Sequence, residues 1–182
     1  AYIGSENTRN TKKYAIEATQ LIFKYLKRAY DKGDDIEARN NMQRASLLAG
    51  MAFTRAYVGY VHAIAHSLGG FYGVPHGLAN AVILPHVIEA YGEKAHKKLA
   101  RLAEAVGITG NSDSEKATAF IAAIREMNEY MAIPTKIEGK WTIKEEDVPI
   151  MIEHALAEAN PLYPVPVIWG YDEMYAMYHK IM

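Results

Sequence analysis

Apolar positions along most of this chain recur every three to four residues, which is the spacing of an amphipathic helix. The first such segment covers residues 11–31. The second covers residues 35–70, and it is polar where it begins and apolar where it ends. This pattern predicts either one long helix or two helices in tandem that bend near Gly50.

Five further helices are predicted after a glycine-rich loop at residues 69–75. They cover about residues 76–91, 93–106, 112–131, 142–160 and 172–182. Pro85 lies inside the first of them and should kink or end it. Thr142 and Glu145 have the spacing of a capping box, so we expect a helix to begin at Thr142. The single strand candidate, "VPVIW" at 165–169, stands alone. The sequence therefore predicts an all-α fold, a multi-helix bundle that forms one domain over residues 1–182.

Composition excludes several classes of partner. A chain of 182 residues can bury a sizeable core. The formal net charge is −1 and no run of Lys and Arg occurs, so nothing indicates nucleic-acid binding. No apolar stretch reaches the roughly 18–20 residues that span a bilayer, so we expect no membrane insertion. The absence of cysteine excludes disulfides and suits a reducing compartment, which favours a cytoplasmic location.

Four of the seven histidines lie in the stretch "HAIAHSLGGFYGVPHGLANAVILPH", residues 62–86. His62 and His66 are one helical turn apart on the same face, and His76 follows a loop that is just long enough to turn back. Neutral imidazoles are frequent ligands of transition metals, so the spacing suggests a metal site. The alternative is that these are buried, hydrogen-bonded core histidines. "HAIAH" is not a zinc-peptidase motif, because Ala63 stands where the catalytic Glu would be.

The other histidines are weaker candidates. His86 lies ten residues beyond His76 and is a less favourable ligand. His96, His154 and His179 occur in polar helical segments, so we expect them to be solvated and assign them no role.

The histidine-rich stretch also resembles a known family. "MAFTRAYVGYVHAIAHSLGGFYGVPHGLANAVILPHV" is similar to the signature of the iron-containing, or group III, alcohol dehydrogenases, with HAxAHxLGG, PHG and LANAxxLPH in order. The flanking stretches "EARNNMQRASLLAGMAF" and "ALAEANPLYPVPVIW" also resemble family members, so the similarity covers nearly the whole chain. It implies the helical, dehydroquinate synthase-like C-terminal domain of these enzymes.

The resemblance assigns roles to four residues. His62 and His76 match two ligands of the catalytic metal, which is iron or zinc. His66 matches a histidine that does not bind the metal but lies beside the nicotinamide and takes part in proton relay, so it is the candidate catalytic and cofactor-binding residue. Phe53 matches an aromatic residue of the substrate pocket. His62 and His66 are thus expected to have different roles, metal binding for His62 and proton relay for His66.

The resemblance implies NAD(P)-dependent oxidation of an alcohol, or reduction of an aldehyde or ketone. Family members also carry an N-terminal nucleotide-binding domain with a GGGS loop and a DxxxHAxE motif that supplies two further metal ligands. Neither motif occurs in this sequence. We therefore expect the chain to be the C-terminal metal-binding domain of a longer enzyme, inactive by itself and with little or no bound metal. Two alternatives are a non-catalytic helical interaction module and a relative of glycerol dehydrogenase or dehydroquinate synthase.

Separation from such a nucleotide-binding domain would expose apolar groups. We expect Phe53, Phe71 and Tyr72 to lie on the exposed face. Exposed apolar patches of this kind favour association, so the sequence also predicts a homo-oligomer.

Overall fold

A computed structural model describes all 182 residues as eight α-helices without a β-strand. The helices are α1 (Arg9–Asp31), α2 (Ile36–Ala56), α3 (Tyr60–Tyr72), α4 (His76–Ala90), α5 (Glu93–Ala105), α6 (Asp113–Tyr130), α7 (Val148–Ala159) and α8 (Tyr171–Ile181). Two short 3-10 turns precede α7. The predicted all-α fold is confirmed, and the segment 165–169 is an irregular loop instead of a strand.

The helices form two packed parts. Helices α1 and α2 pack along each other as a hairpin. Helices α3 to α8 surround one continuous apolar cluster, in which α3 packs on α4 and α7, and α5 packs on α6. The hairpin joins this bundle through α1, where Phe23 stacks on Phe120 of α6 with ring centroids 5.4 Å apart. No helix combines the length and apolar composition that a membrane span requires.

The break between the second and third helices lies later than predicted. Helix α2 continues through Gly50 without interruption, and the chain leaves the helical path at residues 57–59. Tyr57 there has φ 58° and ψ −177°, a backbone conformation that is largely restricted to glycine. The prediction of two tandem helices is confirmed, but the bend near Gly50 is wrong, because a single glycine does not interrupt a helix that packs along a partner.

The predicted helix start at Thr142 is also wrong. The Thr142 hydroxyl donates to the carbonyl of Gly139 at 2.8 Å and so closes the first 3-10 turn. Glu145 begins the second 3-10 turn, and α7 starts only at Val148, followed by Pro149 in its first turn. Proline is well tolerated there because the first N–H groups of a helix have no intrahelical partner.

Helix α4 does not end at Pro85. Proline has no N–H, so the carbonyl of Ala81, four residues earlier, lacks its usual donor. The side-chain amide of Asn128 on α6 donates to this carbonyl at 2.8 Å. Helix α4 therefore continues to Ala90 because a neighbouring helix replaces the missing hydrogen bond.

Helix α3 is held at both ends. At its start, the Tyr60 hydroxyl donates to Asn160 Oδ1 at 2.9 Å and accepts the backbone N–H of Trp169 at 2.8 Å. The Tyr60 ring also stacks on the Trp169 ring with centroids 4.7 Å apart. At its end, the Tyr72 hydroxyl donates to Asp147 Oδ2 at 2.5 Å. These contacts fix the position of the α3 face that lies between them.

Candidate functional site

The two faces of α3 differ sharply in environment. One face is buried and includes Ala63, Ile64, Ser67 and Leu68. The opposite face carries His62, which is half-buried, and His66, which is exposed. Because these two residues are one turn apart, their ring centroids lie only 5.9 Å from each other.

A tight turn brings the third histidine to the same place. Helix α3 ends at Gly73, which has φ 65° and donates its N–H to the carbonyl of Gly69. This left-handed conformation favours glycine and reverses the chain within three residues. His76 then begins α4, and its ring centroid lies 5.3 Å from that of His62 and 5.2 Å from that of His66. The structure thus brings the three histidines singled out from the sequence into one cluster.

Each of the two more exposed rings has a polar partner. The Asn80 amide donates to the His76 carbonyl at 2.8 Å and lies 3.1 Å from His76 Nε2. On the other side, His66 Nδ1 lies 2.7 Å from Glu158 Oε1 of α7. The Tyr163 hydroxyl donates to the same carboxylate oxygen at 2.6 Å. No local sequence pattern indicated Asn80, Glu158 or Tyr163 as site residues.

Burial controls the charge of His62. Its pKa is lowered from 6.5 to about 4, first because the ring is withdrawn from water and then because His76 and His66 lie next to it. His62 is therefore neutral at pH 7. A neutral imidazole is the form that binds a metal ion, so the environment of His62 suits a ligand.

The donor set fits part of a metal site. No group of three or more His, Cys, Asp or Glu side chains is arranged to hold a metal ion. His62 and His76 approach each other from two helices and can supply two nitrogen ligands. A four-coordinate ion would need two more ligands from outside this cluster. Imidazole nitrogen suits both Fe²⁺ and Zn²⁺.

An open groove of about 660 Å³ lies beside the cluster, between α3 and α7. Its lining residues are Ala63, His66, Ser67, Gly70, Phe71, His154 and Glu158. Phe71 is 41 % exposed at the groove, and its ring packs against the His154 ring with centroids 5.9 Å apart. The wall combines the polar side chains of His66, Ser67, His154 and Glu158 with the apolar ones of Ala63 and Phe71, and His66 belongs both to it and to the histidine cluster.

The aromatic residues predicted on this face behave differently. Phe53, near the end of α2, is 43 % exposed, and its ring centroid lies 6.4 Å from that of His62. Phe71 is also exposed, as expected. The expectation is wrong for Tyr72, which is half-buried because its hydroxyl is held by Asp147.

The remaining histidines lie elsewhere or at the edge of the cluster. His86 is half-buried, its pKa is lowered by burial, and its Nε2 faces the Thr135 carbonyl at 3.4 Å. His96 is half-buried on α5, so the expectation of a solvated side chain is wrong for it. His179 is exposed and faces Glu145 at 3.1 Å. His154 is exposed, as predicted, but it lines the groove beside His66.

Sequence comparison places these residues in a known context. The C-terminal profile of the Fe-containing alcohol dehydrogenase family matches residues 1–182. The chain is 44 % identical over 162 residues to 1,3-propanediol dehydrogenase of Klebsiella pneumoniae, covering 88 % of this chain and 42 % of that protein. It is 42 % identical over 182 residues to alcohol dehydrogenase 4 of Saccharomyces cerevisiae, covering 99 % of this chain and 46 % of that protein. The chain thus spans less than half the length of these relatives.

Structural comparison agrees. The crystal structure of a 1,3-propanediol oxidoreductase superposes with a TM-score of 0.93 at 40 % identity, over 100 % of this chain and 47 % of that one. An alcohol dehydrogenase from Oenococcus oeni superposes with a TM-score of 0.92 at 33 % identity, again over 100 % of this chain and 47 % of that one. The helical bundle, the histidine cluster and the profile match over the whole chain together establish that it belongs to the Fe-containing alcohol dehydrogenase family, in the C-terminal part of that family's sequence.

Proposed function

We propose that this chain is the C-terminal, metal-binding half of an NAD(P)-dependent alcohol dehydrogenase. The enzyme would oxidise a small alcohol to an aldehyde or ketone, or catalyse the reverse reduction. The observation that carries this proposal is the meeting of His62, His66 and His76 at the α3–α4 turn, within 5.2–5.9 Å between ring centroids. Relatives named for 1,3-propanediol and 1-propanol favour a short primary alcohol as substrate.

In this proposal, His62 and His76 bind the metal ion. The pKa of His62, lowered to about 4, keeps a nitrogen lone pair free at neutral pH. A nucleotide-binding domain N-terminal to this bundle would add the remaining ligands and the dinucleotide. When bound, iron or zinc would act as a Lewis acid on the substrate oxygen, and the nicotinamide would accept the hydride.

His66 and Phe53 have separate tasks. The alcohol loses a hydride to the dinucleotide and a proton to solvent, so a group must pass that proton on. His66 lies beside the two ligands without being one of them, and it is exposed enough to exchange a proton with water. The Phe53 ring, 6.4 Å from His62 between centroids, would contact the carbon chain of the alcohol and keep water away from it.

The test is an NAD(P)-linked assay with 1,3-propanediol and 1-propanol, using the longer protein that contains this chain. A chelator should abolish turnover, and added Fe²⁺ or Zn²⁺ should restore it. His62→Ala and His76→Ala should remove both bound metal and activity. His66→Ala should lower the rate with metal content unchanged, by about 10²–10⁴-fold, the usual contribution of a positioned proton-transfer group. His96→Ala, on helix α5 and outside the histidine cluster, is the matched control. Full activity in a His62→Ala, His76→Ala double variant would refute the proposal.

The 182-residue chain alone should show no turnover, because two imidazoles do not complete a tetrahedral site. The exposed rings of Phe53 and Phe71 favour self-association of the isolated bundle, and sedimentation analysis tests this directly. Metal-dependent turnover by the chain alone would show that it contains ligands beyond His62 and His76.

A further inference from the structure

The hydrogen bond between His66 and α7 suggests a second residue with a role in the site. The Nδ1 atom of His66 lies 2.7 Å from Glu158 Oε1. An ionised carboxylate has no hydrogen to donate, so the shared proton must lie on Nδ1. In a neutral ring this leaves Nε2 as the atom with the free lone pair.

The carboxylate is itself held in place. The Tyr163 hydroxyl donates to the same Oε1 at 2.6 Å, and Tyr163 is half-buried. Burial and the hydrogen bond to Glu158 both raise the pKa of Tyr163, so the hydroxyl remains a donor at neutral pH. Oε1 thus receives hydrogen bonds from an element after α7 and from α3, and Glu158 is fixed relative to both.

The His66 ring is also fixed in plane. It stacks on the His76 ring with an interplanar angle of 17° and centroids 5.2 Å apart. Stacking limits rotation out of the plane, but it does not decide which nitrogen carries the proton. Only the contact with Glu158 distinguishes the two nitrogens of His66.

We propose that Glu158 is a positioning residue that holds the ring of His66 with Nδ1 protonated and Nε2 free to accept a hydrogen bond in the site. Tyr163 supports it from the second side of the carboxylate. The importance for catalysis rests on the proposed alcohol dehydrogenase function, in which His66 passes on the substrate proton. The geometry itself does not depend on that function.

A structural ion pair is the competing explanation, and it predicts that loss of Glu158 lowers the unfolding midpoint. The side chains of His66 and Glu158 are 45 % and 34 % exposed. Pairs at this exposure contribute little to folding stability. Loss of Glu158 should therefore leave the unfolding midpoint almost unchanged while it changes the tautomer of His66.

The experiment is ¹⁵N NMR of the histidine rings in the 182-residue chain, at a pH near 8, which lies above the reference imidazole pKa of about 6.5. In the wild type, Nδ1 of His66 should have the shift of a protonated ring nitrogen and Nε2 that of an unprotonated one. Glu158→Ala should reverse this pattern or average it. Glu158→Gln should retain it, because the Tyr163 hydroxyl keeps the amide oxygen directed toward Nδ1. Tyr163→Phe should give an intermediate result.

Glu153→Ala is the matched control, since Glu153 is exposed on the same helix and has no side-chain partner. An unprotonated Nδ1 in the wild type, or a wild-type pattern in Glu158→Ala, would overturn the proposal. If Glu158→Ala does not fold, an unchanged pattern in Tyr163→Phe together with a reversed one in Glu158→Gln would overturn it as well.

A second readout separates this proposal from the proposed function. In the longer enzyme, Glu158→Ala should lower kcat by about 10–100-fold with bound metal unchanged, as expected when a reacting group is misplaced. Glu158→Gln should recover most of that loss. A changed tautomer without any alcohol-dependent turnover in the wild type would contradict the proposed function but not the positioning. Normal turnover with a changed tautomer would show that His66 orientation does not limit the reaction.

Discussion

The α1–α2 and α3–α4 helix pairs are both hairpins, but they bury different kinds of side chain. The α1–α2 pair buries mainly small residues at intervals of seven. The small ones are Thr11 and Ala18 on α1 and Ala38, Ala45 and Ala52 on α2, and Tyr25 continues the spacing on α1 as the one large residue. The α3–α4 pair buries large ones, among them Tyr60, Ile64, Leu68, Val82 and Ile83. Most exposed residues of the first pair are polar or charged, whereas the second pair is apolar on most sides.

This difference shows that one helix pair depends mainly on its own contacts and the other on the rest of the bundle. Small residues seven apart allow two helices to approach closely, so the α1–α2 pair packs mostly against itself. Helices α3 and α4 cannot cover their apolar surfaces alone, and they need α6, α7 and α8. The histidine cluster lies on the second pair. A face held from several sides can keep three rings within a few ångströms, which a two-helix contact would not do as well.

The largest expected effect is a cavity in the second pair. Leu68 is fully buried in α3, so Leu68→Ala should lower the free energy of unfolding by about 2–5 kcal/mol. The matched control is Leu47→Ala in α2, where the side chain is 64 % exposed and the change should stay within about 0.5 kcal/mol. Urea unfolding followed by circular dichroism measures both. Equal losses would show that burial of Leu68 does not explain its contribution to stability.

The opposite substitution tests the first pair. Ala45 is fully buried between α1 and α2, so Ala45→Leu should force the two helices apart and cost about 1–3 kcal/mol. Gln43→Leu, an exposed position on the same helix, adds the same side chain without overpacking and is the control. A neutral or stabilising Ala45→Leu would show that the hairpin has spare volume and that small residues are not required there.

A third prediction concerns the support that α6 gives to α4. Asn128→Ala removes the donor to the Ala81 carbonyl and should cost about 1–3 kcal/mol, the usual penalty for an unsatisfied buried polar group. In a Pro85→Ala background the backbone regains its own N–H, so the cost of Asn128→Ala should largely disappear. The double-mutant cycle measures this coupling. Equal costs in both backgrounds would show that Asn128 acts through packing and not through the carbonyl.

The sequence predicted those parts of the fold that local periodicity determines. Amphipathic spacing predicted the segments in which the helices lie but left open whether residues 35–70 form one helix or two, and the all-α architecture is confirmed. It did not predict the break at Tyr57, because the sequence contains a glycine at 50 that looks more suitable and Tyr57 adopts a conformation that tyrosine rarely takes. The sequence also led to the expectation that Pro85 disturbs α4. That expectation was wrong because the compensating Asn128 lies 43 positions later and on another helix.

The residues of the candidate site also differ in whether the sequence could reveal them. The histidines of α3 and α4 could be grouped from spacing alone, since a helical turn and one short loop connect them. Glu158 could not be found, because it is separated from His66 by 92 positions and no local motif surrounds it. Its partner is visible only when α7 is packed on α3. Residues that orient a site from another helix therefore require the structure, whereas residues within one turn do not.

The smallest expected effect lies in the turn of the first pair and depends on pH. Asp35 caps α2 by accepting the N–H of Ala38 at 2.9 Å, and Arg28 contacts the same carboxylate. These two contacts, the backbone one first, hold the pKa of Asp35 below its ordinary value of 3.8. A carboxylate with a lowered pKa in the folded state stabilises above pH 3.8 and loses that contribution as pH falls through its folded pKa. Asp35→Ala should therefore lower the unfolding midpoint at pH 7 by about 2–4 °C, as for loss of a helix cap.

Asp35→Asn is the control that separates the cap from the charge. Asparagine caps helices about as well as aspartate but does not titrate, so this variant should stay close to the wild type at pH 7. As pH falls below 3.8, the wild type should lose stability relative to Asp35→Asn, because only the aspartate becomes protonated. Thermal unfolding at several pH values between 7 and 3 measures the difference. A constant difference across that range would mean that the charge of Asp35 contributes nothing, and that the turn of α1–α2 depends on the cap geometry alone.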